Sequence, residues 1–434
     1  MLKSRVLFFA VLGLFVSCVS WAAEEALVTQ KIGDYDLRLN AEDRVRYEFK
    51  SDADFNKATR DNGSVFYQRA RIGMAAVKPK EVELMVELID ARAYTYQMKK
   101  PAQVDEIDLH QAYVKIMDPF SLPISLKLGR QEIQYGKGRL IAASSWSNLI
   151  RSFDGAILKY KSGGLWVDGM VSVPVVADNH NFDNPKEHEI ISAVYLNYQK
   201  DKKSPTTELY IIGQVDKDNV VRGDDLRYGP LERYTAGFRV AGKLDDSISY
   251  DLEAPYQFGT YGSNNIAAYA FHLDLSKSLE AMMDPVITLE FNLASGDEDP
   301  TDGKTNTFVP IYQGTHDPYG IMDLYRWQNM REIAGKITLS PDKKLKIIPG
   351  VNFVWLDSKR DSWYNTSGTA VRTDTTGNSS AFLGTEVSIV AKYDLNKNVK
   401  LEGGVAHMFS GEFIHDTGAR NEPNWVYTQV GVKF

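Results

Sequence analysis

Residues 424–434 read NWVYTQVGVKF. In an extended chain successive side chains point to opposite faces. Val426, Thr428, Val430, Val432 and Phe434 therefore share one side, and Trp425, Tyr427, Gln429, Gly431 and Lys433 share the other. The last residues of a domain ordinarily fray in polar surroundings. A hydrophobic alternation still running at Phe434 instead predicts a strand whose far end is paired with something.

The same period of two recurs along the chain. In YDLRLNAEDRVRYEF (35–49), Leu37, Leu39, Ala41, Val45, Tyr47 and Phe49 alternate with Arg38, Asn40, Glu42, Arg44, Arg46 and Glu48; only Asp43 breaks the apolar side. SVFYQRARIGMAAV (64–77) sets Phe66, Ala70, Ile72, Met74 and Ala76 against Tyr67, Arg69, Arg71 and Gly73. DSISYDLEAPYQF (246–258) and PVITLEFNLASG (285–296) alternate in the same way. The pattern predicts eighteen strands near 35–49, 64–77, 82–94, 107–116, 123–132, 153–161, 164–175, 188–199, 206–216, 231–242, 247–258, 265–275, 286–295, 330–340, 344–356, 382–394, 398–409 and 425–434.

A soluble sandwich would alternate too, so the gaps between strands carry the decision. Every second gap is short: KPKE (78–81), SGG (162–164), KLDD (243–246), PDKK (341–344), DLNKN (394–398). The others, 50–63, 133–152, 176–187, 217–230, 296–329, 357–381 and 410–424, are long and rich in Gly, Asp, Asn and Ser. Short and long connections thus fall at opposite ends of the strands. An up-and-down meander produces that parity, whereas Greek-key connections would scramble it. Outer-membrane barrels have short periplasmic turns and long external loops. The expected fold is an all-β, transmembrane, up-and-down antiparallel barrel of about 18 strands, closed by pairing the last strand with the first because hydrocarbon tolerates no open sheet edge. That width leaves room for an aqueous lumen.

Composition agrees. No run of 18 apolar residues follows the first segment, which excludes spanning helices but not spanning strands. The 434-residue chain has a net charge of −7, which argues against nucleic acid as a partner. At the N-terminus, Lys3 and Arg5 precede an apolar run from Val6 to Val16 and small residues at Ser20 and Ala22. This is a secretory signal pattern, read as 1–22 with cleavage after Ala22. A retained anchor would need a longer run. The single cysteine, Cys18, lies within that segment, so 23–434 is read as one barrel domain without thiol or disulfide.

The stretch SLKLGRQEIQYGKGRLIAASSWSNLIRSFDGAILKY (125–160) resembles the signature of the alginate export family of outer-membrane porins. Gly129, Arg130, Gln131, Tyr135, Gly136, Arg139, Leu140, Trp146, Asn148, Arg151, Phe153, Asp154 and Gly155 carry the resemblance. LASGDEDPTDGKTNTFVPIYQGTHDPYGIMDLYRWQNM (293–330), LGTEVSIVAKYDL and MFSGEF resemble the family's long loop and C-terminal strands. The resemblance implies an 18-stranded channel in the outer membrane of a Gram-negative bacterium that passes an anionic, alginate-like polysaccharide or another anionic solute by passive diffusion. A general diffusion porin of weak selectivity, an outer-membrane hydrolase and a secreted soluble β-protein are the alternatives. Phe434 resembles the C-terminal signal read by the outer-membrane assembly machinery.

If apolar sides face lipid, Arg38, Arg44, Arg46, Arg69, Arg71, Lys127, Lys159, Arg239 and Lys336 face the lumen, and Arg130 joins them as a candidate on the solute path. Low-dielectric walls would focus a positive field on a polyanion, and guanidinium forks match carboxylates. Glu42, Glu48, Glu87, Asp251, Glu253, Glu290, Glu386 and Glu402 fall on the same side, so the same residues also read as a ladder of cross-strand ion pairs. Arg139, Trp146, Asn148 and Arg151 lie on the 133–152 connection, which is expected to fold inward as a constriction, or else to be a packing corner. Asp297, Asp299 and Asp302 resemble the start of a calcium loop, but Phe308 stands where such a loop needs its Glu. His272 and Asp274, two residues apart, read as a base and its orienter or as lumen hydrogen bonds. G-x-S-x-G and H-E-x-x-H are absent from the sequence, and no enzyme or cofactor is expected. The expected partners are outer-membrane lipid, the solute and a periplasmic export partner, with the barrel a monomer.

Overall fold

The computed structural model describes residues 29–434 apart from 57, 59–61, 97–102, 180 and 317. Residues 1–22, read above as a secretory signal, lie with Cys18 outside the described residues, as does His180.

Eighteen strands form the wall: β1 (Tyr35–Ser51), β2 (Gly63–Lys78), β3 (Val82–Tyr96), β4 (Asp105–Met117), β5 (Ile124–Gln131), β6 (Phe153–Ser162), β7 (Leu165–Val176), β8 (Glu189–Tyr198), β9 (Thr206–Arg222), β10 (Tyr228–Lys243), β11 (Ile248–Tyr261), β12 (Asn264–Ser278), β13 (Val286–Ala294), β14 (Met330–Thr338), β15 (Leu345–Trp355), β16 (Phe382–Asp394), β17 (Val399–Ser410) and β18 (Asn424–Lys433). Each pairs antiparallel with the next. The last closes on the first, with Glu42 opposite Lys433 and Ser51 opposite Asn424. Phe434 extends this seam: its N–H donates to the Ala41 carbonyl at 2.8 Å and its carbonyl accepts from the Ala41 N–H at 3.2 Å. The alternation at 424–434 is thus the pattern of the strand that completes the cylinder, and every wall strand has a paired neighbour on both sides.

The face rule holds. Ile72, Met74, Leu84, Val86, Val171, Val194, Leu289 and Ile389 point outward and are exposed, while Arg44, Arg46, Glu48, Arg69 and Glu87 point inward and are buried. Lipid is the solvent that suits such an exterior. Exposed tyrosines mark both rims: Tyr35, Tyr160 and Tyr198 toward the short turns, and Tyr94 and Tyr96 toward the long connections. This is the aromatic girdle of a membrane barrel.

Most boundaries agree to within three residues, and one differs by more. The 217–230 stretch, read as a loop, continues β9 to Arg222 and starts β10 at Tyr228, with a register shift between Asp216 and Val221 and a tight turn over 223–227. Its sequence, KDNVVRGDDLRYGP, shows no oily side. A hairpin that rises beyond the lipid has water on both faces and needs none.

Candidate functional site

Two connections enter the barrel and meet. The Ala142 N–H donates to the Tyr312 carbonyl (2.8 Å), the Tyr312 N–H to the Leu140 carbonyl (2.7 Å) and the Gly314 N–H to the Gly138 carbonyl (2.8 Å). Ile141 and Tyr312 form a parallel bridge. The 132–152 and 295–329 segments thus make a small structure of their own inside the lumen.

The first-strand and second-strand arginines hold it. Arg44 Nη1 donates to the Ser145 and Trp146 carbonyls, both at 2.9 Å, and Nη2 to the Ser147 carbonyl at 3.0 Å. Arg46 Nη1 donates to the Trp146 carbonyl at 2.7 Å and its guanidinium lies 3.9 Å from the Trp146 ring centroid. Arg69 Nη1 reaches the Ser145 (2.9 Å) and Ser147 (2.8 Å) carbonyls, and its Nη2 pairs with Glu42. Hydrogen bonds from a charged donor are worth about 1.5–3 kcal/mol each, so three guanidiniums on three carbonyls fix the loop firmly.

Arg71 bridges Glu87 and Glu132, at 2.6 Å to each. Glu87, Glu132 and His110 converge closely enough to hold a metal, but the Arg71 guanidinium already supplies the positive charge between the carboxylates. Arg239 takes both oxygens of Asp251 (2.8 and 2.6 Å) and Glu208 (3.0 Å), and Lys159 pairs with Asp168 at 3.3 Å. Lys127 lies 3.8 Å from the Tyr113 ring centroid. Arg38, near the short-turn rim, is exposed. The inward charges therefore form a wall ladder as well as a lining.

Arg130 is a correction. It sits at odd spacing from Lys127, on the outward side of β5 with Leu126 and Leu128, so it does not line the lumen. It binds both oxygens of its cross-strand partner Asp154 (2.8 and 2.9 Å) and the Leu109 (3.2 Å) and Asp183 (3.0 Å) carbonyls.

On the inward loop, Arg139 meets Glu253 at 2.8 Å and also contacts His272. Burial lowers its pKa, but Glu253, Tyr319 and Asp251 together outweigh burial and raise it. Arg151 donates to the Ala142 (2.7 Å) and Tyr312 (2.9 Å) carbonyls; burial, opposed only in part by Tyr312, lowers its pKa to about 10. The Asn148 amide is wholly buried and donates to the Gln68, Arg92 and Gln103 carbonyls. The His272–Asp274 pair does not form: the His272 ring bonds Asn292 at 2.6 Å, and Asp274 accepts from Ser276 at 3.1 Å. Asp297, Asp299 and Asp302 do not converge either; their oxygens accept from their own turns, at Asp299, Thr301 and Lys304.

Below the inward loops a cavity of about 800 Å³ runs to the short-turn rim. Nine lysines and arginines line it against four carboxylates, so it is cationic within a chain of net charge −7. Lys137, at the loop tip, and Lys336, Lys392, Lys400 and Lys433, on the wall, supply much of the excess. Above lies a second cavity of about 310 Å³, lined by Met322, Asp323, Leu324, Trp363 and Trp425. Between the two stand Trp146, His316 and Ile321, whose N–H, with that of Met322, donates to Glu386 at 2.5 and 3.4 Å. Period two put Glu386 on the lumen side, but its capping of the inward loop had no signal in the sequence, and neither did the stacking of His316.

The family model described as alginate export matches residues 35–428. Among solved structures, Pseudomonas aeruginosa OccK2 (OpdF) is similar at a TM-score of 0.62 and 9% identity, over 92% of this chain and 97% of that one. Pseudomonas aeruginosa OpdK, solved with vanillate, gives 0.61 at 10% identity, over 92% and 98%; OccD3 (OpdP) of the same organism gives 0.59 at 12%, over 94% and 93%. No curated protein sequence matches. At such identities the likeness speaks for the porin fold, and the family match for the lineage. The chain, an 18-stranded barrel with the architecture of an outer-membrane channel, belongs to the alginate export family.

Proposed function

We propose that this channel passes an anionic polysaccharide of the uronic-acid class outward by passive diffusion, with the cationic lower cavity as its entry and the Trp146–His316 layer as its closed gate. The excess of nine cations over four carboxylates in that cavity carries the reading. A polymer bearing one carboxylate per sugar would exchange water for guanidinium and ammonium partners along the wall. The lumen arginines Arg44, Arg46, Arg69 and Arg71 serve as loop clamps in the closed state and become available to solute once the loop moves. A periplasmic partner that presents the polymer, and assembly through a signal at Phe434, belong to the same proposal. A second reading, passage of small anionic solutes, is favoured by the structural likeness to a channel solved with vanillate.

The test is block of current across a planar bilayer by added oligomers. Charged uronate oligomers on the short-turn side should interrupt the current, and neutral oligosaccharides of equal length should not. Equal block by both removes the polyanion reading; block by small carboxylates alone favours the second.

A further inference from the structure

Strands β5 and β6 leave a dip in the wall at the long-loop end, because the chain between Gln131 and Phe153 turns into the lumen. The 177–188 connection is tied across this dip: the Arg130 guanidinium donates to the Asp183 carbonyl at 3.0 Å, and the Asp183 N–H donates to Asp108 Oδ2 at 2.6 Å. That contact brings Asp183 to Asp105 and Asp108 at the start of β4. One carboxylate oxygen from each of the three lies within 4.8 Å of the others.

The arrangement is electrically incomplete. Asp105 is only 3% exposed, and its Oδ2 is buried without a hydrogen-bond partner. An unpartnered buried carboxylate oxygen is costly, the more so beside two like charges. Arg130, which reaches the Asp183 carbonyl, is committed to both oxygens of Asp154. This differs from Glu87, His110 and Glu132, where Arg71 stands between the carboxylates.

We propose that Asp105, Asp108 and Asp183 form a divalent-cation site that fastens the 177–188 connection to β4 over the dip. Three carboxylates and no nitrogen or sulfur ligand select a hard cation. The irregular mix of strand and loop donors suits calcium better than the strict octahedron of magnesium. The site lies at the end of the long connections, outside the cell on the barrel's orientation.

Titration of calcium chloride into the full-length protein, stripped with chelator and held in detergent, tests this by calorimetry. One site per chain is expected, with a dissociation constant of about 10⁻⁴–10⁻³ M as in extracellular modules. Calcium should also slow proteolysis within 177–188. Asp105→Asn should weaken binding by about tenfold or more, and Asp299→Asn, in the separate acidic loop, should leave it unchanged. Asp183→Asn, outside the strands, should lose both signals and carries the test if Asp105→Asn does not assemble. Absence of saturable binding up to about 10 mM, well above that range, overturns the proposal, as does unchanged binding by Asp105→Asn or Asp183→Asn.

Discussion

The Trp146 indole lies flat on the His316 imidazole, with ring centroids 3.5 Å apart and planes 6° from parallel. Each ring comes from a different inward connection, and Trp425 and Tyr427 of β18 meet the pair edge-on. On the opposite side Arg46 covers the indole at 3.9 Å. One residue thus joins both loops to the wall.

Trp146→Ala should loosen that junction. Aromatic stacking is worth about 0.5–1.5 kcal/mol and a desolvated cation–π contact about 2 kcal/mol, and every 1.4 kcal/mol is roughly tenfold in a population. Single-channel records should show the variant open for at least about ten times the wild-type fraction of time. Unchanged dwell times would remove Trp146 from the gate.

Acid should act on the gate in two opposed ways. Burial and then Arg46 hold His316 well below its ordinary 6.5, so the closed state loses stability as pH falls below about 6.5 and a released imidazole takes up the proton. Burial raises Asp323, which accepts the His316 backbone N–H at 2.8 Å, to about 6, against an ordinary 3.8. The closed state therefore gains stability as pH falls through 6 toward 3.8. Asp323→Asn removes the second effect, so its open fraction should rise on acidification from pH ~7.5 to ~5, across the ordinary histidine range. His316→Gln should show the reverse; identical pH responses in both variants would contradict the assignment.

Arg69 and Arg71 should separate when replaced singly. Arg69→Ala removes two loop clamps and should raise open time. Arg71→Ala leaves Glu87 and Glu132 facing each other, and breaking such a buried pair costs about 3–5 kcal/mol. Urea unfolding in vesicles should show that loss in Arg71→Ala, together with weaker anion preference. Unchanged open time in Arg69→Ala, or unchanged stability in Arg71→Ala, would contradict these assignments.

Ile72 faces outward and is 61% exposed. Ile72→Arg should cost about 2–4 kcal/mol at mid-bilayer depth and less near an interface, read by urea unfolding in lipid vesicles. A neutral effect would mean that this face does not meet hydrocarbon.

The wall was legible because lipid outside and water inside impose a period of two on every strand. Residues 35–49 and 424–434 display it most plainly, and the gap parity pointed to the connectivity, although the 262–263 turn between β11 and β12 departs from it. It failed at 217–230, where the hairpin stands clear of the membrane, and for Arg130, whose spacing from Lys127 already placed it outward. The inward fold of 132–152 could be read from its length and its Arg, Trp and Asn content. Its pairing with 295–329 could not, because backbone bridges such as Ala142 to Tyr312 leave no mark on side-chain type. Lys137 stood in plain view within the inward loop, but only the folded tip shows that it reaches the cavity.

The most direct test is the reversal potential of the reconstituted channel in a potassium chloride gradient. A lumen with the cation excess of the lower cavity predicts a potential displaced toward the chloride equilibrium value, with the displacement shrinking as salt screens the wall. A potential displaced toward the potassium value would contradict the anionic path.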